Sequence, residues 1–112
     1  MPWKSFLNTE ALRHLTDGNR ELEEQFVTMF METATRCIRQ LEALSSHDPH
    51  LQWSPVVHEL KGAALNIHAD AMVALCKDAE YLPVDPVRRQ AVWQKMDAEL
   101  QRYQQALTAA PK

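Results

Sequence analysis

Glycine is nearly missing from the 112 residues, with two in all, and no stretch alternates β-branched and polar residues as a half-buried strand does. A sheet fold with glycine-bearing turns is thereby disfavoured. Cysteine is equally scarce: Cys37 and Cys76 show neither CxxC nor Cys/His ligand spacing. They read as small core residues of a reducing compartment, not as a disulfide framework. No run approaches the ~18 apolar residues of a membrane span, and Met1 to Phe6 (Met-Pro-Trp-Lys-Ser-Phe) lacks the apolar segment of a secretion signal. A cytoplasmic protein is expected. Basic runs are also lacking and the net charge is −3, which argues against a phosphate-backbone footprint and so against nucleic acid. The expected partner is another protein.

What is present is helical periodicity. With 46% hydrophobic residues, the chain is long enough to form one domain, residues 1–112, burying roughly 65% of its unfolded surface without a metal or disulfide. Five helices are expected, over about 8–16, 19–45, 54–67, 69–82 and 85–107. The first starts at Asn8 or Thr9, breaks at Asp17-Gly18, and is read as a lid. Asn19 caps the second, whose stripe runs through Leu22, Phe26, Phe30, Thr33, Cys37 and Leu44, with Val27, Met31 and Ile38 on a neighbouring strip. Ser54-Pro55 gives a cleaner start for the third than a cap at Asp48, since proline inside a helix costs roughly 3 kcal/mol. Pro83 stops the fourth, which turns Met72, Leu75, Cys76 and Ala79 inward, and Asp85-Pro86 begins the fifth. Val92 or Trp93, Met96, Leu100, Tyr103 and Leu107 form its inner stripe. Four long helices on short connections make an antiparallel four-helix bundle with a short N-terminal lid helix.

The chemistry concentrates in His58-Glu59-Leu60-Lys61-Gly62. At about 100° per residue from Trp53, the residues Trp53, Val57, Leu60, Ala64 and Ile67 fall within roughly 40° of zero and form the core stripe. His58 lies at about 140°, Gly62 at about 180°, Leu65 at about 120° and Lys61 at about 80°. An imidazole in water is largely neutral at pH 7 and offers a nitrogen lone pair. Lys61, one turn on, can hold an anion attached to that nitrogen, and Gly62 clears space for something to approach. Leu65 adds an exposed apolar contact.

These residues resemble the histidine-containing phosphotransfer (HPt) domain family, whose motif is a phosphoacceptor His, any residue, Leu, Lys, Gly and then small residues. Here it reads His58-Glu59-Leu60-Lys61-Gly62-Ala63-Ala64-Leu65-Asn66-Ile67-His68-Ala69, followed by Met72, Cys76 and Glu80 at spacings like the family's Leu, Cys and Glu. The resemblance implies a four-helix bundle in which His58 takes a phosphoryl group from a receiver-domain aspartyl phosphate and gives it to another receiver, in a multistep two-component phosphorelay. It implies that Lys61 steadies the phosphoryl charge and that Gly62 lets the receiver close in. The chain would be a phosphohistidine carrier more than an independent enzyme. Receiver domains of response regulators and hybrid histidine kinases would be its partners, docking on Glu59, Gly62, Leu65 and Met31. It would act as a monomer without a cofactor, because the Mg²⁺ belongs to the receiver. Two positions depart from the pattern. His68 stands where the family has Gly, at a cost on the order of 1 kcal/mol if the left-handed cap is kept. Ser54-Pro55 would place His58 in the first helical turns, where the positive helix end favours a phosphoryl group.

Other classes fit less well. A carboxylate-bridged metal bundle needs Glu-x-x-His pairs, but Ala11, Leu44, His47, Pro55 and Leu65 stand three residues before the five histidines. His47-x-x-His50 lacks further ligands, and no nucleophile has a base and an orienting acid at useful spacing. The alternative is a helical binding module that regulates a receiver or kinase by docking, without phosphate on His58.

Overall fold

The computed structural model describes residues 7–45, 50–83 and 85–108. The first six residues, His47, the alternative cap Asp48 and the tail after Thr108 lie outside them. Five helices make up the fold: α1 (Thr9–Thr16), α2 (Arg20–Leu44), α3 (His50–Asn66), α4 (Asp70–Glu80) and α5 (Pro86–Thr108). The start signals act as capping chemistry requires. Asn8 accepts the Ala11 N–H at 3.1 Å, Asn19 accepts the Leu22 N–H at 3.0 Å, and Asp85 accepts the Val87 N–H at 3.0 Å. Asn8, rather than Thr9, is therefore the cap of α1.

Helices α2 to α5 form an all-α bundle in which each runs opposite to the neighbours it packs against. Arg36 meets Glu59 while Phe26 and Phe30 meet Ile67, so α2 and α3 are antiparallel. Arg39 pairs with Asp97, and the Phe30 ring lies tilted against Tyr103 with centroids 6.1 Å apart, which sets α5 antiparallel to α2. The core is filled by Phe30, Cys37, Leu41, Trp53, Leu60, Met72, Met96 and Tyr103, with α1 adding Leu12. The buried stripe of α2 is rotated from the expected one. It passes through Val27, Phe30, Ala34, Cys37, Ile38 and Leu41, while Leu22, Phe26, Thr33 and Leu44 stand half-buried at its margin. Val27 and Ile38 are thus core residues.

Helix α3 starts at His50, correcting the expected start at Ser54, and keeps Pro55 inside it. Proline removes the amide that would donate to the Leu51 carbonyl. The extra turn puts the fully buried Trp53 against α4, where its indole N–H donates to the Ala79 carbonyl at 3.2 Å. Burial of a tryptophan is worth about 3–5 kcal/mol, enough to offset an internal proline. The Arg89 guanidinium from α5, itself buried, lies 4.7 Å over the Trp53 ring. His58 consequently sits two turns into α3 and not in its first turn. The helix-end electrostatics anticipated for it do not apply.

The turn between α3 and α4 is a Schellman cap. The Ala69 N–H donates to the Ala64 carbonyl at 2.9 Å and the His68 N–H to the Leu65 carbonyl at 3.2 Å. His68 holds the left-handed conformation with φ of 59°. Its carbonyl then accepts the Asn8 N–H at 3.2 Å, fastening α1 to this corner. The strained Cβ predicts that His68→Gly stabilises the protein by about 1 kcal/mol, read as a higher midpoint in chemical denaturation.

Both cysteines are free and buried. Burial pushes the Cys76 thiol up to about 12, with Cys37 nearby adding to the effect, and the Cys37 thiol up to about 11, with the Glu59 charge contributing. Neither thiol should react with a disulfide reagent in the native protein at pH 8, and both should react once denaturant unfolds it.

Candidate functional site

His58 and Glu59 stand on the outer face of α3, directly behind which Val57, Leu60 and Ala64 are fully buried. The His58 side chain is 63% exposed. Gly62 and Leu65 are exposed beside it, so the imidazole, the gap and the apolar side chain share one open surface. Lys61 is more enclosed, with 23% of its side chain exposed, because its ammonium turns inward to a partner on α4.

That partner is Glu80, the last residue of α4. Its carboxylate is only 10% exposed and spans two groups of α3: Oε1 lies 3.0 Å from His58 Nε2, and Oε2 accepts from Lys61 Nζ at 3.1 Å. A carboxylate can only accept, so it favours the tautomer with the proton on the ring nitrogen facing it. The other ring nitrogen keeps its lone pair and points away from Glu80. The arrangement therefore presents an oriented nucleophile with an ammonium one turn away.

Glu80 was legible from the sequence only as a matching spacing, since 22 positions separate it from His58 in the chain. The tight junction could have exposed the partnership. Counting equal distances from His68 pairs His58 with residue 78 of an antiparallel neighbour, within one turn of Glu80.

On the other flank, Glu59 is held by Arg36 of α2. Arg36 Nη1 donates to Oε1 at 3.1 Å while Nη2 meets Oε2, a two-point ion pair with both side chains about half exposed. The hydrogen bond from Arg36 holds the Glu59 carboxyl below the usual carboxylate range. Such an exposed pair contributes little to stability, and its effect here is to set the position of both side chains.

Met31 does not stand beside His58, correcting its expected place among the docking residues. It lies with Thr35 and Arg39 on the flank of α2 toward α5, where Arg39 meets Asp97. At 100° per residue, Met31 is about 160° around α2 from Met29, and it is Met29 that faces α3. Met29 and Leu15, 61% and 52% exposed, border an apolar groove of about 320 Å³ together with Phe26, Phe30, Thr33, Ala63, Asn66 and Ile67. The groove continues the surface that carries Gly62 and Leu65. Leu15 and Met29 escaped the sequence reading because neither lies on a core stripe.

A Cβ built on Gly62 meets nothing within 4 Å. Glycine is thus not required for packing inside this chain. Gly62→Ala should raise stability by about 0.5–1 kcal/mol through helix propensity, measured as a shift of the denaturation midpoint.

A comparison with protein-family models matches the Hpt domain over residues 25–110. The match covers more than half of the chain, which therefore belongs to the Hpt domain family, and it includes the whole of α3, α4 and α5. Neither curated proteins nor solved structures give a match. Membership makes the protein a phosphotransfer-related helical module of two-component signalling, a class whose members interact with receiver domains. Among the described residues, no helix is long and apolar enough to cross a membrane.

Proposed function

We propose that this protein is a histidine phosphotransfer protein: His58 accepts a phosphoryl group from the aspartyl phosphate of one receiver domain and passes it to another in a multistep phosphorelay. The observation that carries the reading is the exposed His58 imidazole, held at 3.0 Å by a carboxylate that also fixes Lys61, in a chain of the Hpt family. In the accepting step the free ring nitrogen bonds to phosphorus. The bond from phosphorus to the aspartyl oxygen breaks, and its electron pair leaves with the carboxylate. The proton on the nitrogen facing Glu80 stays where it is. Phosphoryl transfer asks mainly for positioning and charge neutralisation, which the anchored imidazole and the Lys61 ammonium supply in part. The remaining charge stabilisation is assigned to the receiver's Mg²⁺, so this chain needs no metal of its own.

The receiver is read as docking over Gly62, where nothing projects, against Leu65 and the groove lined by Leu15 and Met29. Glu59, already paired with Arg36, gives that contact a polar edge. The test is incubation with a panel of phosphorylated receiver domains, following acid-labile phosphate on this chain. Transfer is expected with at least one receiver and is expected to disappear in His58→Gln, whereas binding without transfer would establish a docking regulator instead. Gly62→Ala should slow transfer while leaving the bundle intact.

A further inference from the structure

Glu80 is placed to do more than orient the histidine. Three charged groups meet at this point of the surface: Glu80 from α4, Lys61 from α3 and whatever His58 carries. The other charges nearby point elsewhere or stand off. Glu59 is turned to Arg36 on α2, Lys77 is exposed one turn earlier on α4, and the Cys76 thiol behind them is kept neutral by burial. In the resting protein the charges of Lys61 and Glu80 cancel at 3.1 Å. With the ring proton retained, transfer places about two negative charges on the phosphoryl oxygens and one positive charge on the ring, a net gain of about one negative charge, within reach of the same ammonium. Lys61 must then be shared between two anions, and one of them, the 10% exposed Glu80 carboxylate, is poorly screened by water.

We propose that Glu80 is a positioning residue that keeps the phosphoryl group on His58 transferable, by competing with it for Lys61. Before transfer the carboxylate holds the ring proton on one nitrogen and so exposes the other. After transfer the same carboxylate competes with the phosphoryl oxygens for Lys61, a competition that ends when the group departs. In that departure the bond between phosphorus and the ring nitrogen breaks and its electron pair returns to the ring. An aspartate oxygen of the accepting receiver bonds to phosphorus, and Lys61 closes back onto Glu80. This inference rests on His58 being the phosphoacceptor.

Glu80→Gln removes the charge at nearly constant shape, and its single amide oxygen can accept from the ring or from Lys61 but not from both in the wild-type arrangement. The wild-type protein and the variant are phosphorylated in parallel, once with phosphoramidate as a small donor and once from a phosphorylated receiver. The half-life of the phosphohistidine and its equilibrium with the receiver are then measured. The variant is expected to hold its phosphoryl group several-fold longer and to shift the equilibrium about tenfold toward phosphorylated His58, with an unchanged helical circular dichroism spectrum. Glu80→Ala should also lengthen the half-life, but should accept phosphate more slowly because the ring is no longer held. A half-life or equilibrium in both variants equal to the wild type, or moved toward the receiver, overturns the inference while leaving the phosphotransfer reading intact. Failure of wild-type His58 to be phosphorylated by either donor overturns both.

Discussion

The indole N–H of Trp53 takes a carbonyl that a proline has left short of a donor, and the geometry of the site depends on this bond. In a continuing α-helix the Ala79 carbonyl would accept from residue 83, but residue 83 is Pro and has no N–H to give. The carbonyl instead receives the Leu82 N–H at 3.3 Å and the buried Trp53 indole at 3.2 Å. The last turn of α4 is thereby tied to α3 one turn before His58. At its other end the same helix pair is closed by the Schellman cap at His68. Fastened at both ends, α3 and α4 cannot slide past each other. Glu80, next to Ala79, is held at the height of His58 and Lys61.

A carboxylate placed this way touches the imidazole and the ammonium at once. It decides which ring nitrogen carries the proton, and it sets the charge that the ammonium must balance. The exposed part of the site is correspondingly plain, consisting of an imidazole, a glycine, a leucine and a shallow apolar groove. That division suits a carrier. In the proposed reading the buried side fixes orientation and charge, and the open side receives the receiver domain and its metal ion.

Much of this could be read from the residues because it is local. Period 3.6, the Asn19 and Asp85 caps and the break at Pro83 specify helices, and the angular position of His58 relative to Val57 and Leu60 specifies its exposure. What escaped the reading depends on interactions across the bundle. Pro55 argued for a helix start because its local cost is visible in sequence, whereas the burial of Trp53 that offsets it depends on α4 and α5. Met31 was a candidate because it lies on an apolar strip of α2, whereas Met29, which lies on neither strip, is the methionine that packing turns toward α3. Glu80 lay far from His58 in the chain, and its partnership required knowing the register of two helices. His68 is the converse case: the sequence left its conformation open, and the structure keeps the left-handed backbone in spite of the unfavourable residue.

Helix α1 stands outside the stretch that matches the family, which begins at residue 25 inside α2. It nevertheless supplies Leu15 to the groove beside the reactive face, and the Asn8 N–H ties it to the His68 carbonyl where α3 turns into α4. One wall of the surface is thus built from a part of the chain separate from the phosphotransfer motif. Changes in that wall leave His58, Lys61 and Glu80 untouched. In the proposed reading, recognition and reactivity are thus carried in part by separate stretches of the chain.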